Sequence, residues 1–85
     1  SVDANLKLNF SIYPNPVDSF VSISSRMAGN TVEVEIYDLL GRLNISKTQV
    51  ASNLMTMDVS QLSQGLYFIK LKMGDQQQSR KFIKL

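Results

Sequence analysis

The chain has 85 residues, is 44% apolar and 19% charged, carries a formal net charge of +2, and contains no cysteine, histidine or tryptophan. That length suits one small domain burying about 60–65% of its unfolded surface; the apolar share is too high for a disordered chain, and no apolar run approaches the roughly 18 residues of a membrane span. A disulfide framework, Ser/His or Cys/His catalysis, and metal binding through imidazole or thiolate are all excluded.

Ser1 opens the sequence, with no basic-then-apolar leader. The expectation is a piece of a longer precursor whose export signal lies upstream, with residues 1–9 as linker from the preceding cargo and 1–85 as a single domain. A first short strand is predicted over Phe10–Tyr13. Pro14, Asn15 and Pro16 follow, and because both prolines lack an amide donor and restrict the residue before them, this stretch is a kink or edge crossing that switches the chain between two sheets. The next strand covers Phe20–Ser24, with Val21 and Ile23 inward.

Thr31–Asp38 alternates cleanly: Val32, Val34 and Ile36 on one face, Thr31, Glu33, Glu35 and Tyr37 on the other. Tyr37 to Gly41 reads as a hairpin turn in which Asp38 bonds nearby amides and Gly41 takes the strained position. Further strands are predicted over Arg42–Val50 and Asn53–Met57. Val59–Ser63 is the one stretch suited to a helical turn, with Asp58 or Ser60 as its cap. From Gly65 the alternation resumes, Tyr67, Ile69, Leu71 and Met73 inward and Leu66, Phe68, Lys70 and Lys72 outward, and the last strand is Gln77–Leu85. Seven strands separated by tight turns predict an all-β, immunoglobulin-like seven-stranded antiparallel β-sandwich.

The charge is uneven. Lys70, Lys72, Arg80, Lys81 and Lys84 against the single acid Asp75 leave +4 on the last sixteen residues. Lysines on exposed strands discourage edge-to-edge pairing; they also form a recognition surface for an acidic partner. In the final strand, alternation sets Ile83 and Leu85 on one face and Phe82 between Arg80 and Lys84 on the other, so one face should show partly exposed apolar groups flanked by cations. Such a terminal strand invites recognition by strand addition.

Other chemistry is sparse. Glu33 and Glu35 share a strand face and read as a solubilising pair rather than an acid/base pair. The five aspartates are scattered and do not form a calcium loop. Tyr67 and Phe68 beside Lys70 and Lys72 are too few aromatics for a nucleic-acid platform. No catalytic, metal or cofactor residue is expected, so the chain reads as a non-enzyme. An accessory carbohydrate-binding or adhesive sandwich is the alternative, weakened by the missing tryptophan.

Four separated motifs, in order, carry a resemblance: the PNP turn at Pro14–Pro16, VEIYDLLGR at Val34–Arg42, DVSQLSQGLYFIKL at Asp58–Leu71, and the basic-apolar tail at Lys81–Lys84. Together they span about Phe10 to Leu85, and the chain resembles the type A C-terminal sorting domain of the type IX (Por) secretion system. The final Leu85 departs from a family pattern that often stops at a basic residue. The resemblance implies a secretion signal at the end of surface or secreted proteins of Bacteroidetes-type bacteria. Such a signal passes through the periplasm, is recognised by the outer-membrane translocon, and is removed by a sortase-like peptidase as the upstream cargo reaches the outer membrane surface. On this reading Gly65, Leu66, Tyr67, Lys81, Phe82, Ile83 and Lys84 are the residues recognised, and Pro14, Asn15, Pro16, Asp38 and Gly41 shape the fold. It implies no nucleic-acid partner and no transmembrane segment, and the open strand edges allow a dimer.

Overall fold

A computed structural model describes residues 8–85. Its strands are β1 (Phe10–Tyr13), β2 (Phe20–Ser25), β3 (Thr31–Asp38), β4 (Leu43–Val50), β5 (Leu54–Asp58), β6 (Gly65–Met73) and β7 (Gln76–Lys84), each within one residue of its predicted ends. They form two antiparallel sheets, ordered β1-β2-β5 and β4-β3-β6-β7. This is an immunoglobulin-like sandwich in which the fourth strand joins the sheet of β3, β6 and β7, unlike the constant-domain arrangement that places it beside the first, second and fifth.

The period-two pattern puts one side of each sheet inside. Val21 and Ile23 of β2 and Met55 and Met57 of β5 share a core with Val34 and Ile36 of β3, Ile69 and Leu71 of β6, and Phe82 of β7. Each fully buried aliphatic side chain there stabilises the fold by roughly 1.5–3 kcal/mol. Glu35 departs from its expected solvated position and is only 8% exposed, because Tyr37 and Lys72 close over it.

The helical turn expected at Val59–Ser63 is instead a single hydrogen-bonded turn, Leu62 N–H donating to the Val59 carbonyl at 3.0 Å. Asp58 holds its start, accepting from the Ser60 amide at 2.9 Å and the Ser60 hydroxyl at 2.6 Å. Five residues with Gly65 next are too few to build a stable helix against a strand that needs Gly65 extended. At the other end, of the residues assigned on sequence grounds to a linker, Leu8 is buried, 2% exposed, and Asn9 is exposed but hydrogen-bonded, accepting from Arg80 at 2.7 Å. The remainder of that expected linker lies outside the described residues.

Candidate recognition surface

Register joins the two motifs that the sequence separates. Across the β6–β7 ladder Gly65 faces Lys84, Leu66 faces Ile83, Tyr67 faces Phe82, and Phe68 faces Lys81. Adjacent positions of a strand point to opposite sides of the sheet, so the motifs split into two sets. Tyr67 and Phe82 point inward, with ring centroids 5.7 Å apart in a stacked arrangement. The Tyr67 hydroxyl donates to the Ser63 carbonyl at 2.8 Å, which anchors the turn leading into β6. Gly65 begins that strand at φ 153°, a conformation L side chains rarely adopt. Leu66, Phe68, Lys81 and Ile83 point outward, Ile83 being 49% exposed.

Of the residues expected to be recognised, Tyr67, Phe82 and Lys84 are therefore inside the fold. Phe82 is completely buried, and Lys84 is 6% exposed with its ammonium donating to the Leu85 carbonyl oxygen at 2.7 Å. The reason is alternation: Lys84 shares the inward side with Phe82. The cationic fringe predicted for both lysines falls to Lys81, which is exposed.

β7 is an edge of the four-stranded sheet, as strand addition would require, but its end is already engaged. Beyond the PNP turn the chain leaves β1 and runs alongside β7. Val17 N–H donates to the Ile83 carbonyl at 2.7 Å and Leu85 N–H to the Val17 carbonyl at 2.8 Å, a parallel bridge of Val17 with Lys84. Asn15 Oδ1 accepts from the Ile83 amide at 3.1 Å. The PNP stretch is an edge crossing, as its proline pair predicted, but it does not switch the chain between sheets: β1 and β2 pair within the smaller sheet, and only the backbone of Val17 between them bridges to the edge of the larger one. Further along β7, Arg80 lies 4.7 Å from the centroid of the Phe10 ring and donates through Nε to the Phe10 carbonyl at 3.1 Å. Addition of a strand at Ile83–Leu85 would have to displace this strap, so the accessible part of the motif is its outward side chains.

The β3–β4 turn stands beside that outward face. Asp38 Oδ1 accepts from the Leu40 and Arg42 amides, each at 2.9 Å, and Oδ2 accepts from Arg42 Nε at 2.8 Å. The Arg42 amide above all holds the Asp38 carboxyl below its ordinary value; burial opposes it, and the Arg42 side chain and the Leu40 amide reinforce it. Gly41 closes the turn at φ 83°. On the neighbouring strand Tyr37 donates to Glu35 Oε1 at 2.8 Å, a bond that keeps the phenol protonated and raises its pKa. Lys72 sits 3.1 Å from Glu33 and 3.9 Å from Glu35, and its pKa is raised chiefly by the bond to Glu33.

Both glutamates are engaged with Lys72, and no group of three or more metal-ligating side chains occurs among the described residues. Nor does any helix among them have the length and apolarity to cross a membrane. The three tyrosines do not form a row for stacking sugars: Tyr13 lies on β1, Tyr37 on the outer face of β3 beneath Lys70, and Tyr67 in the core. Sequence reasoning missed Arg80 and Val17 as clasps of β7 and the exposed pair Leu39 and Leu40. Only the leucines had a visible signal, two apolar residues in a turn that polar residues usually fill.

The Por secretion tail profile, described as "Secretion system C-terminal sorting domain", matches residues 11–85. No curated protein matches the chain. Among solved structures, dimeric latent PorU from Porphyromonas gingivalis is similar with a TM-score of 0.63 and 22% identity, over 99% of this chain and 10% of that one; at that identity the likeness concerns the fold. A match along nearly the whole sandwich, from β1 through the end of β7, places the chain in the family of secretion system C-terminal sorting domains.

Proposed function

We propose that the domain is the part of a type IX secretion cargo that the outer-membrane translocon recognises in the periplasm, and that a sortase-like peptidase removes it after the upstream cargo has crossed to the cell surface. The domain acts as substrate and address, with no active site of its own. The observation that carries this reading is the cross-strand register: Gly65–Tyr67 and Lys81–Lys84 come together as one patch whose inner half locks the fold and whose outer half, Leu66, Lys81 and Ile83, is available to a receptor. Charge and apolar contact on a small rigid surface suit selective recognition. Asn15, Pro14, Pro16, Asp38 and Gly41 hold the backbone that presents it.

The test is surface delivery of a reporter fused to this chain in a bacterium with a type IX system. Lys81→Glu combined with Ile83→Ser should abolish delivery while the purified variant keeps its unfolding midpoint, since substitutions of exposed residues change stability by about 0.5 kcal/mol or less. Delivery at the parent level by that folded variant would defeat the proposal.

A further inference from the structure

Five hydrogen bonds build the β3–β4 turn: Asp38 N–H to the Arg42 carbonyl, Gly41 N–H to the Asp38 carbonyl, and three to the Asp38 carboxylate. The side chains of Leu39 and Leu40 take part in none of them, yet they are held in water, 65% and 76% exposed. Folding has no use for leucine at these positions, where turns favour small polar residues. A rigid turn that presents two leucines has already met the ordering cost of a contact with a partner.

Leu39 stands between two clefts. One, of about 270 Å³, is lined also by Tyr37, Phe68, Lys70 and Ser79. The other, of about 350 Å³, is lined also by Leu40, Gly65 and Leu66. Because Leu66 faces Ile83 and Phe68 faces Lys81 across the β6–β7 ladder, the turn extends the outward face of that hairpin onto the neighbouring one. The same surface is cationic. Lys81 is exposed, and Lys70 Nζ lies 5.0 Å from the centroid of the Tyr37 ring, whereas the acids of β3 are engaged, Glu33 and Glu35 with Lys72 and Asp38 with Arg42.

We infer that Leu39 and Leu40 are a further part of the docking surface, and that its occupant is an extended, apolar segment of the receptor protein bearing carboxylates. Exposed leucines beside Lys70 and Lys81, neither of which is in an ion pair among the described residues, with the acids of β3 already paired, are complementary to such a segment. Two clefts either side of a ridge accept the alternating side chains of an extended chain. A lipid surface is planar and offers nothing to fill them. The inference rests on the sorting role proposed above and adds the β3–β4 turn and the chemistry of the partner to it.

The experiment compares four chains fused to the same reporter: the parent, Leu39→Ser/Leu40→Ser, Lys70→Gln, and the control Val50→Ser/Leu54→Ser, which removes two exposed apolar residues away from the turn, Val50 pairing with Thr31 at the opposite end of β3. With melting temperatures matched to the parent, the leucine variant should lose surface delivery by about tenfold or more, Lys70→Gln should lose it by a smaller factor, and the control should deliver normally. If the folded leucine variant delivers normally, the inference fails while the sorting role stands; if the parent itself fails to deliver, the sorting role fails. Two measurements on the purified chain address other occupants. Leucine-dependent binding to phosphatidylglycerol/phosphatidylcholine vesicles would assign the turn to a membrane, and a leucine-dependent dimer in sedimentation would assign it to a second copy; either result overturns the inference.

Discussion

The two faces of the β6–β7 hairpin carry the same two motifs and do different work. On the inner face Tyr67 stacks on Phe82 in a closed core; on the outer face Leu66 shares a cleft with the exposed turn leucines, and Ile83 and Lys81 lie beyond it on β7. Neighbouring residues of one motif therefore answer to different pressures. A motif that spans a strand cannot be treated as one epitope, because the pleat sends every second side chain into the core. On the sorting role proposed above, the tail pattern combines a stability requirement with a recognition requirement, and substitutions in it separate the two only when the faces are scored apart.

The largest effect that would sharpen this contrast is Phe82→Ala. Removing a fully buried ring at the centre of the stack should cost about 3–5 kcal/mol, a large share of the roughly 5–15 kcal/mol of a whole domain, so urea unfolding should show a strongly lowered midpoint or no folded state. An unchanged midpoint would break the division into faces. Next comes the strap. Asn15→Ala removes the acceptor of the Ile83 amide and should cost about 1 kcal/mol. Hydrogen exchange at Ile83 should accelerate while that of the Ile69 amide in mid-sheet does not. Equal acceleration at both sites would mean that the strap opens only with the whole sheet.

The smallest effect concerns acid. The folded-state pKa of Asp38 is lowered by the Arg42 amide first, so its contribution to stability is present above the unfolded carboxylate value of about 4 and is lost as the pH falls through the lower folded value. Asp58 behaves in the same direction through Ser60. Asp38→Asn should reduce the drop in melting temperature between neutral and acidic buffer without removing it, because Asp58 continues to titrate. A drop of unchanged size in the variant would show that the turn carboxylate adds nothing to stability. The fully folded Lys81→Glu/Ile83→Ser variant, tested for delivery, belongs at the same end of the scale of stability effects.

Much of this was legible before any coordinates. The alternation of Val32, Val34 and Ile36 and of Tyr67, Ile69 and Leu71 set both strands and their inner faces, since period two is a property of local backbone geometry. Asp38 and Gly41 announced their turn through side-chain chemistry confined to five residues. Glu35 misled, because its burial comes from Tyr37 and Lys72, the latter on a strand more than thirty positions away in the chain. Lys84 misled for a related reason: charge says outward, but register places it inward beside Phe82, and its ammonium finds the Leu85 carbonyl. Arg80 gave no hint of its contacts with Asn9 and Phe10, seventy residues distant.

The sequence by itself determined the strands, their turns, the all-β class and the family, because each rests on local periodicity, turn chemistry or ordered motifs. Only the tertiary structure decided how those pieces meet. Register brought Gly65–Tyr67 opposite Lys81–Lys84, the strap closed the end of β7, and the β3–β4 turn came to stand beside the outward face of the hairpin. Pairing between distant strands is chosen by the packing of the whole core, so which side chains remain for a partner is settled only when the two sheets close on each other.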